Sequence, residues 1–207
     1  ANGLTIIVRE DRSAPVVSAQ AWSCTGSINE GHWIGAGLSH VLEHMLFKGT
    51  TTRGVGMIDQ EVQDLGGYMN AYTSFDRTVY WINSPKEGAS TIVDILSDIM
   101  MNATLPADEL VKELDVIRRE MDMNDDDPGR SSSRRLFETA YRVSPYRYPI
   151  IGYPDVFNQI ERDDIVSYYN EKYAPSNVFY VVVGDVDPVA ITDQIAEAYS
   201  EVPCSIS

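Results

Sequence analysis

Basic residues are scarce in this chain: 16 Lys and Arg stand against 31 Asp and Glu in 207 residues, a net charge of −15. A chain that acidic lacks the basic face demanded by nucleic acid or an anionic membrane surface. Cationic peptides and small molecules remain compatible partners. Cysteine is scarcer still. Cys24 and Cys204 are too few for a disulfide scaffold and read as two separate thiols. Long apolar runs are missing: the longest strand-like one, Val178 to Val183, falls far short of the roughly 18–20 residues a membrane span needs. No basic segment followed by an apolar one marks a signal peptide, so the compartment is left open. What is present is ordinary globular composition, 43% hydrophobic and 23% charged, which excludes wholesale disorder and is ample for a core.

Asn2-Gly3 before the alternating run Leu4 to Val8 reads as a hairpin turn whose first strand would lie upstream. Val202-Pro203-Cys204-Ser205 reads as a linker, so the expectation is one N-terminal domain over 1–207 that forms part of something longer. Leu4 to Arg9 and Val16 to Cys24 read as strands around a polar turn. Tyr68 to Ser74 and Arg77 to Asn83 form a second such pair, and Asn177 to Val183 a buried strand. Helices are expected after Gly37, over Gly56 to Leu65, from Lys86 to Met101, from Ala107 to Met123, over Ser131 to Tyr141, over Ile160 to Tyr173 and from Pro188 to Tyr199. Strands in neighbouring pairs and helices in runs imply an α+β layer rather than a doubly wound parallel sheet. The acidic run Asp122, Asp125, Asp126 and Asp127 lacks calcium-loop spacing and reads as a solvated helix end. His32 reads as a loop residue, and Trp22, Trp33, Phe47 and Trp81 as core or lining residues.

Chemistry is concentrated in His40-Val41-Leu42-Glu43-His44. Helical residues at i and i+4 share a face about 6 Å apart, so both imidazoles can meet one metal ion. Glu43 projects to the same side, where a carboxylate can reach a metal-bound water. H-x-x-E-H is the inverse of the zincin order and is found in inverzincins. A catalytic zinc normally keeps three protein ligands and an open position. Glu113 and Glu120, two turns apart on one helix, offer a ligand and a supporting carboxylate. The same spacing also fits two solvent-facing partners of Lys112, Arg118 and Arg119, and spacing alone leaves both open.

The run His40 to Thr50, HVLEHMLFKGT, resembles the signature of the pitrilysin/insulinase (M16) zinc metallopeptidases, a family that includes the mitochondrial processing peptidase. Leu65 to Ser74, LGGYMNAYTS, resembles its next block, and the likeness continues diffusely to Gly184-Asp185-Val186. The family's remote ligand lies about 76 residues past the second histidine, which falls on Glu120, and its supporting glutamate falls on Glu113. The resemblance implies that His40, His44 and Glu120 bind one zinc ion, that Glu43 is the general base, and that Glu113 assists catalysis. It implies a mainly antiparallel sheet with helices packed on one face, and an extended peptide held as an added strand at Asn70, Ala71 and Thr73. It further implies a second homologous unit, in cis or in trans, that supplies an arginine and a tyrosine to the site. The expected activity is zinc-dependent endopeptidase. The alternative is a non-catalytic subunit that binds peptides or a partner. S-ribosylhomocysteine lyase also carries an H-x-x-E-H helix, but with a cysteine as third ligand, and Cys24 and Cys204 are poorly placed for that.

Overall fold

A computed structural model describes residues 2–204. Five strands form one sheet: β1 (Thr5–Glu10), β2 (Val16–Ser23), β3 (Tyr68–Thr73), β4 (Thr78–Pro85) and β5 (Val178–Gly184). Their order is β1-β5-β2-β4-β3. β5 runs parallel to β1 and antiparallel to β2, and the β2–β4 and β4–β3 pairs are antiparallel. The sheet is therefore mainly antiparallel, as expected. The sequence-adjacent strands β1 and β2 do not pair with each other: β5 lies between them, with Ala19 opposite Val182 on one side and Ile7 opposite Val181 on the other.

Strand alternation sets the two faces. Val17, Ala19 and Ala21 of β2, Tyr80 and Ile82 of β4, and Tyr180 and Val182 of β5 are buried. Trp22, Trp81 and Phe179 point to the opposite, half-exposed face, where Trp22 stacks on Phe179 at 5.3 Å. The buried face carries helices α1 (Leu38–Leu46), α3 (Ala89–Asn102) and α8 (Pro188–Ala198). Their apolar residues, among them Leu42, Met45, Ile92, Leu96 and Ile195, join the strand residues in one core. Helix α2 (Met57–Asp64) leads into β3, and α7 (Arg162–Lys172) packs beside α1.

Helix α4 (Ala107–Asp126) runs one turn beyond the expected Met123. Asp127 then accepts the amides of Gly129 and Arg130 and, with Pro128 in the first turn, starts α5 (Pro128–Ala140), three residues earlier than expected. Helix α3 starts later than expected: β4 continues to Pro85, the Lys86 amide bonds to Pro15, and a single tight turn precedes Ala89. A four-residue helix, α6 (Pro154–Phe157), had no periodic signature. Among the described residues no helix is long and apolar enough to cross a membrane. Cys24 and Cys204 are both exposed and unbonded; Ser205 of the expected linker lies outside the described residues.

Candidate metal centre

The candidate ligands and the candidate base sit on the one stripe of α1 that the core leaves open. Leu38, Val41, Leu42, Met45 and Leu46 are buried, whereas His40, Glu43 and His44 are only partly covered. The helix has no side-chain cap of its own. Its first amides are instead met by Glu30, which is 3% exposed and accepts from Gly37 and Ser39 at 3.2 and 2.9 Å. Negative charge suits a helix N-terminus, yet burial outweighs those bonds and raises the Glu30 carboxyl to about 7. Ser39 is further tied to the Tyr168 hydroxyl at 2.7 Å. At the same end, Gly37 has φ +77, and a Cβ there would lie 2.2 Å from the Ile151 carbonyl oxygen. Glycine thus lets the loop through Ile151 and Gly152 close against the start of α1.

Across from α1, helix α4 presents Glu120 and, two turns earlier, Glu113. Glu120 Oε2 lies 3.7 Å from His40 Nε2 and 3.8 Å from His44 Nε2. One donor atom from each of the three residues falls within 4.8 Å of the others. A tetrahedral zinc with bonds of ~2.0–2.1 Å spaces its donors about 3.3–3.4 Å apart, so a small contraction accommodates the ion. His40 supports the fit. Its Nε2 faces Glu120 from 3.7 Å, too far for a hydrogen bond, and so stays free for an ion; its Nδ1 is buried without a hydrogen-bond partner among the described residues, a separate cost that an ion on Nε2 would not relieve. Burial, then the charge of His44, pushes its pKa down to about 3, which keeps the ring neutral and free to donate a lone pair. The two-nitrogen, one-carboxylate donor set suits zinc.

Glu113 stands behind His44 rather than in the cleft. Its Oε2 meets His44 Nδ1 at 2.9 Å and its Oε1 meets Lys48 Nζ at 2.7 Å. Burial would raise this carboxyl, but the bonds from Lys48 and His44 prevail and hold it below its ordinary value. An anionic acceptor at Nδ1 makes that nitrogen the N–H donor and leaves Nε2 for the metal. Two of the three alternative partners left open by spacing are engaged elsewhere, Lys112 with Glu109 and Arg118 with Asp115. Lys48 is a participant that sequence reasoning missed, because its contact crosses from the end of α1 to α4.

Glu43 accepts a 2.6 Å hydrogen bond from the Thr73 hydroxyl. Burial raises its pKa, opposed by that bond and by His44. Thr73 thus touches the carboxylate as well as lining the cleft. β3 is the edge of the sheet, and Ala71 lies in the cleft wall. Asn70 does not line the cleft: its Oδ1 accepts the Ala71 amide at 2.8 Å and its Nδ2 donates to the Tyr68 hydroxyl at 3.2 Å. His40, Glu43, Thr73 and Glu120 open onto a cavity of about 910 Å³ that also meets Met123, Arg130 and Ile151. The wall from Pro149 to Ile151 had no sequence signal, since that stretch lacks periodicity.

This chain belongs to the insulinase family of peptidases, M16. The family model for insulinase (peptidase family M16) matches residues 5–153, and the model for the M16 peptidase inactive domain matches 159–206. Both matched segments contribute strands to the same sheet. A zinc protease of Rickettsia felis is 30% identical over 96% of this chain and 48% of its own length. The mitochondrial-processing peptidase β subunit of Lentinula edodes is 32% identical over 99% of this chain and 44% of its own. The chain thus spans about half the length of these relatives. The crystal structure of a protease from Helicobacter pylori superposes with a TM-score of 0.92 at 28% identity, over all of this chain and 49% of that one.

Proposed function

We propose that this chain is the metal-bearing half of a zinc-dependent endopeptidase that cleaves extended peptides. The observation that carries the reading is the convergence of His40, His44 and Glu120 with a separate carboxylate, Glu43, on the same cleft. His40, His44 and Glu120 would hold one zinc ion. A bound zinc lowers the pKa of a coordinated water to about 7 and polarises a carbonyl as a Lewis acid. Glu43, oriented by Thr73, takes the proton from the attacking water and hands it to the leaving amine. Glu113 does not touch the reacting atoms in this scheme; it orients His44.

The free edge of β3 is where the peptide adds as a further strand. The Ala71 amide, held by the side chain of its own neighbour Asn70, becomes available when that amide swings aside. Ala71 and Thr73 contact substrate from the cleft wall in this reading, and Asn70 meets it on the strand edge once its side chain has moved. A second homologous unit completes the chamber, which is consistent with relatives about twice this length.

The second reading, a non-catalytic peptide-binding subunit, draws on the inactive-domain match over 159–206. That segment supplies no metal-facing residue. In the longer native protein, Glu43→Gln is expected to retain zinc while peptide cleavage falls about 10²- to 10⁴-fold. Unchanged cleavage would remove Glu43 from its role, and a zinc-loaded parent that binds peptides without cutting them would favour the second reading.

A further inference from the structure

Past Glu120 the cleft adjoins a smaller cavity of about 230 Å³. Ser133, Arg134, Pro149 and Ile150 line both spaces. The deeper walls are rings from three separate segments: Phe75 in the β3–β4 turn, Phe137 on α5, and Tyr146 and Tyr148 just beyond it. Phe75 and Phe137 stack at 5.5 Å with 12° between their planes, and Tyr146 tilts onto Phe75 at 4.9 Å. Neither Phe75, Phe137 nor Tyr146 is fully buried. Drug-sized ligand sites run to about 300–1,000 Å³; this space is smaller and matches one large side chain. Rings prefer offset or edge contacts with other rings, and the four rings of this lining therefore favour an aromatic guest over an aliphatic one; the Arg147 guanidinium is already placed over the Tyr148 ring at 5.6 Å.

Its position follows from the edge strand. Thr73, which holds Glu43, ends β3, and Phe75 lies two residues further on. Strand residues advance about 3.3 Å each and alternate in direction. A peptide lying along β3 with its scissile bond beside Glu43 therefore brings a side chain roughly two residues away to the mouth of this cavity. We propose that the cavity is a specificity subsite for one aromatic side chain of the substrate, about two residues from the bond that is cut. The proposal rests on the peptidase reading of the neighbouring cleft.

Binding tests it without requiring turnover. Labelled twelve-residue Ala/Thr peptides with or without one central Phe would be titrated by fluorescence anisotropy into the zinc-loaded Glu43→Gln chain. The Phe peptide is expected to bind about tenfold tighter, and Ser133→Phe, which fills the cavity from α5, to abolish the difference. Should that variant fail to fold, Ile150→Trp fills the space from the opposite wall. Equal affinities for the two peptides, or a preference that survives filling, would mean that the rings only anchor α5. In the longer protein, walking the Phe along the peptide should move the cut with it at constant spacing, read by mass spectrometry; cuts indifferent to the Phe overturn the assignment. Cleavage of neither peptide would count against the peptidase reading and leave the cavity to be judged on binding.

Discussion

His44 is backed by two residues that would not touch an ion in the proposed zinc site. Lys48 and Glu113 form a chain ending at its Nδ1, and such outer partners typically account for 10–100-fold in metal affinity. Lys48→Met is expected to weaken zinc binding toward the lower end of that range and Glu113→Ala toward the upper, measured by competition with a chromophoric chelator. Unchanged affinity in both would reduce the chain to a structural ion pair. Glu30 gives a pH-dependent signature. Its folded value of about 7 lies above the ordinary 4.5, so between those values the folded state holds the extra proton. The group's contribution to stability is therefore complete below about pH 4.5 and is lost as pH rises through 7, an effect of roughly 3 kcal/mol. Glu30→Gln should gain on the parent by up to that amount between pH 5 and pH 8 in parallel denaturation curves. A constant gap across that range would contradict it. The H-x-x-E-H pair was legible because one helical turn is a local rule. Glu30, Lys48 and the Thr73–Glu43 bond were not, because each joins segments that only the folded chain brings together.

Among elements, the clasp between the start of α1 and the loop through Gly152 governs how the metal helix meets the cleft wall. Gly37 and Gly56 both adopt positive φ, at +77 and +82, but a Cβ at Gly56 meets nothing within 4 Å whereas one at Gly37 strikes the Ile151 carbonyl. Gly56→Ala should cost about 1 kcal/mol of backbone strain. Gly37→Ala should cost at least about 2 kcal/mol more, a further fall in Tm of roughly 4 °C or greater for a chain this size. Similar losses at both positions would show that the loop yields readily. Most helices could be read from their 3.6-residue stripe, and β3 and β4 from turn residues. The ends slipped where a cap or a ladder intervened, as at Asp127 and Pro85. The pairing of β1 with β5 rather than β2 leaves no trace in local pattern, since alternation reports a buried face and not the neighbour that lies beside it.

The whole molecule carries an excess of 15 negative charges, and the proposed zinc site would join α1 to α4. Any ligand that binds only the folded chain stabilises all of it. Zinc at about 100 times its dissociation constant should add ~2.7 kcal/mol, or roughly 5–10 °C in Tm, reversed by chelation. The double variant His40→Ala with His44→Ala should melt at one temperature with or without zinc. A shift that persists in the double variant would place the ion elsewhere.

The place of β5 between β1 and β2 bears on how the chain is made. Residues 178–184 must arrive before β1 and β2 can both complete their ladders, so a nascent chain cannot close this sheet until the ribosome has passed residue 184. A truncation after residue 153, at the edge of the first family-model match, would keep every metal-facing side chain and still remove the strand that sews the two sides together. Such a fragment is expected to expose two further strand edges, those of β1 and β2 that face β5 in the intact sheet, and to aggregate rather than fold.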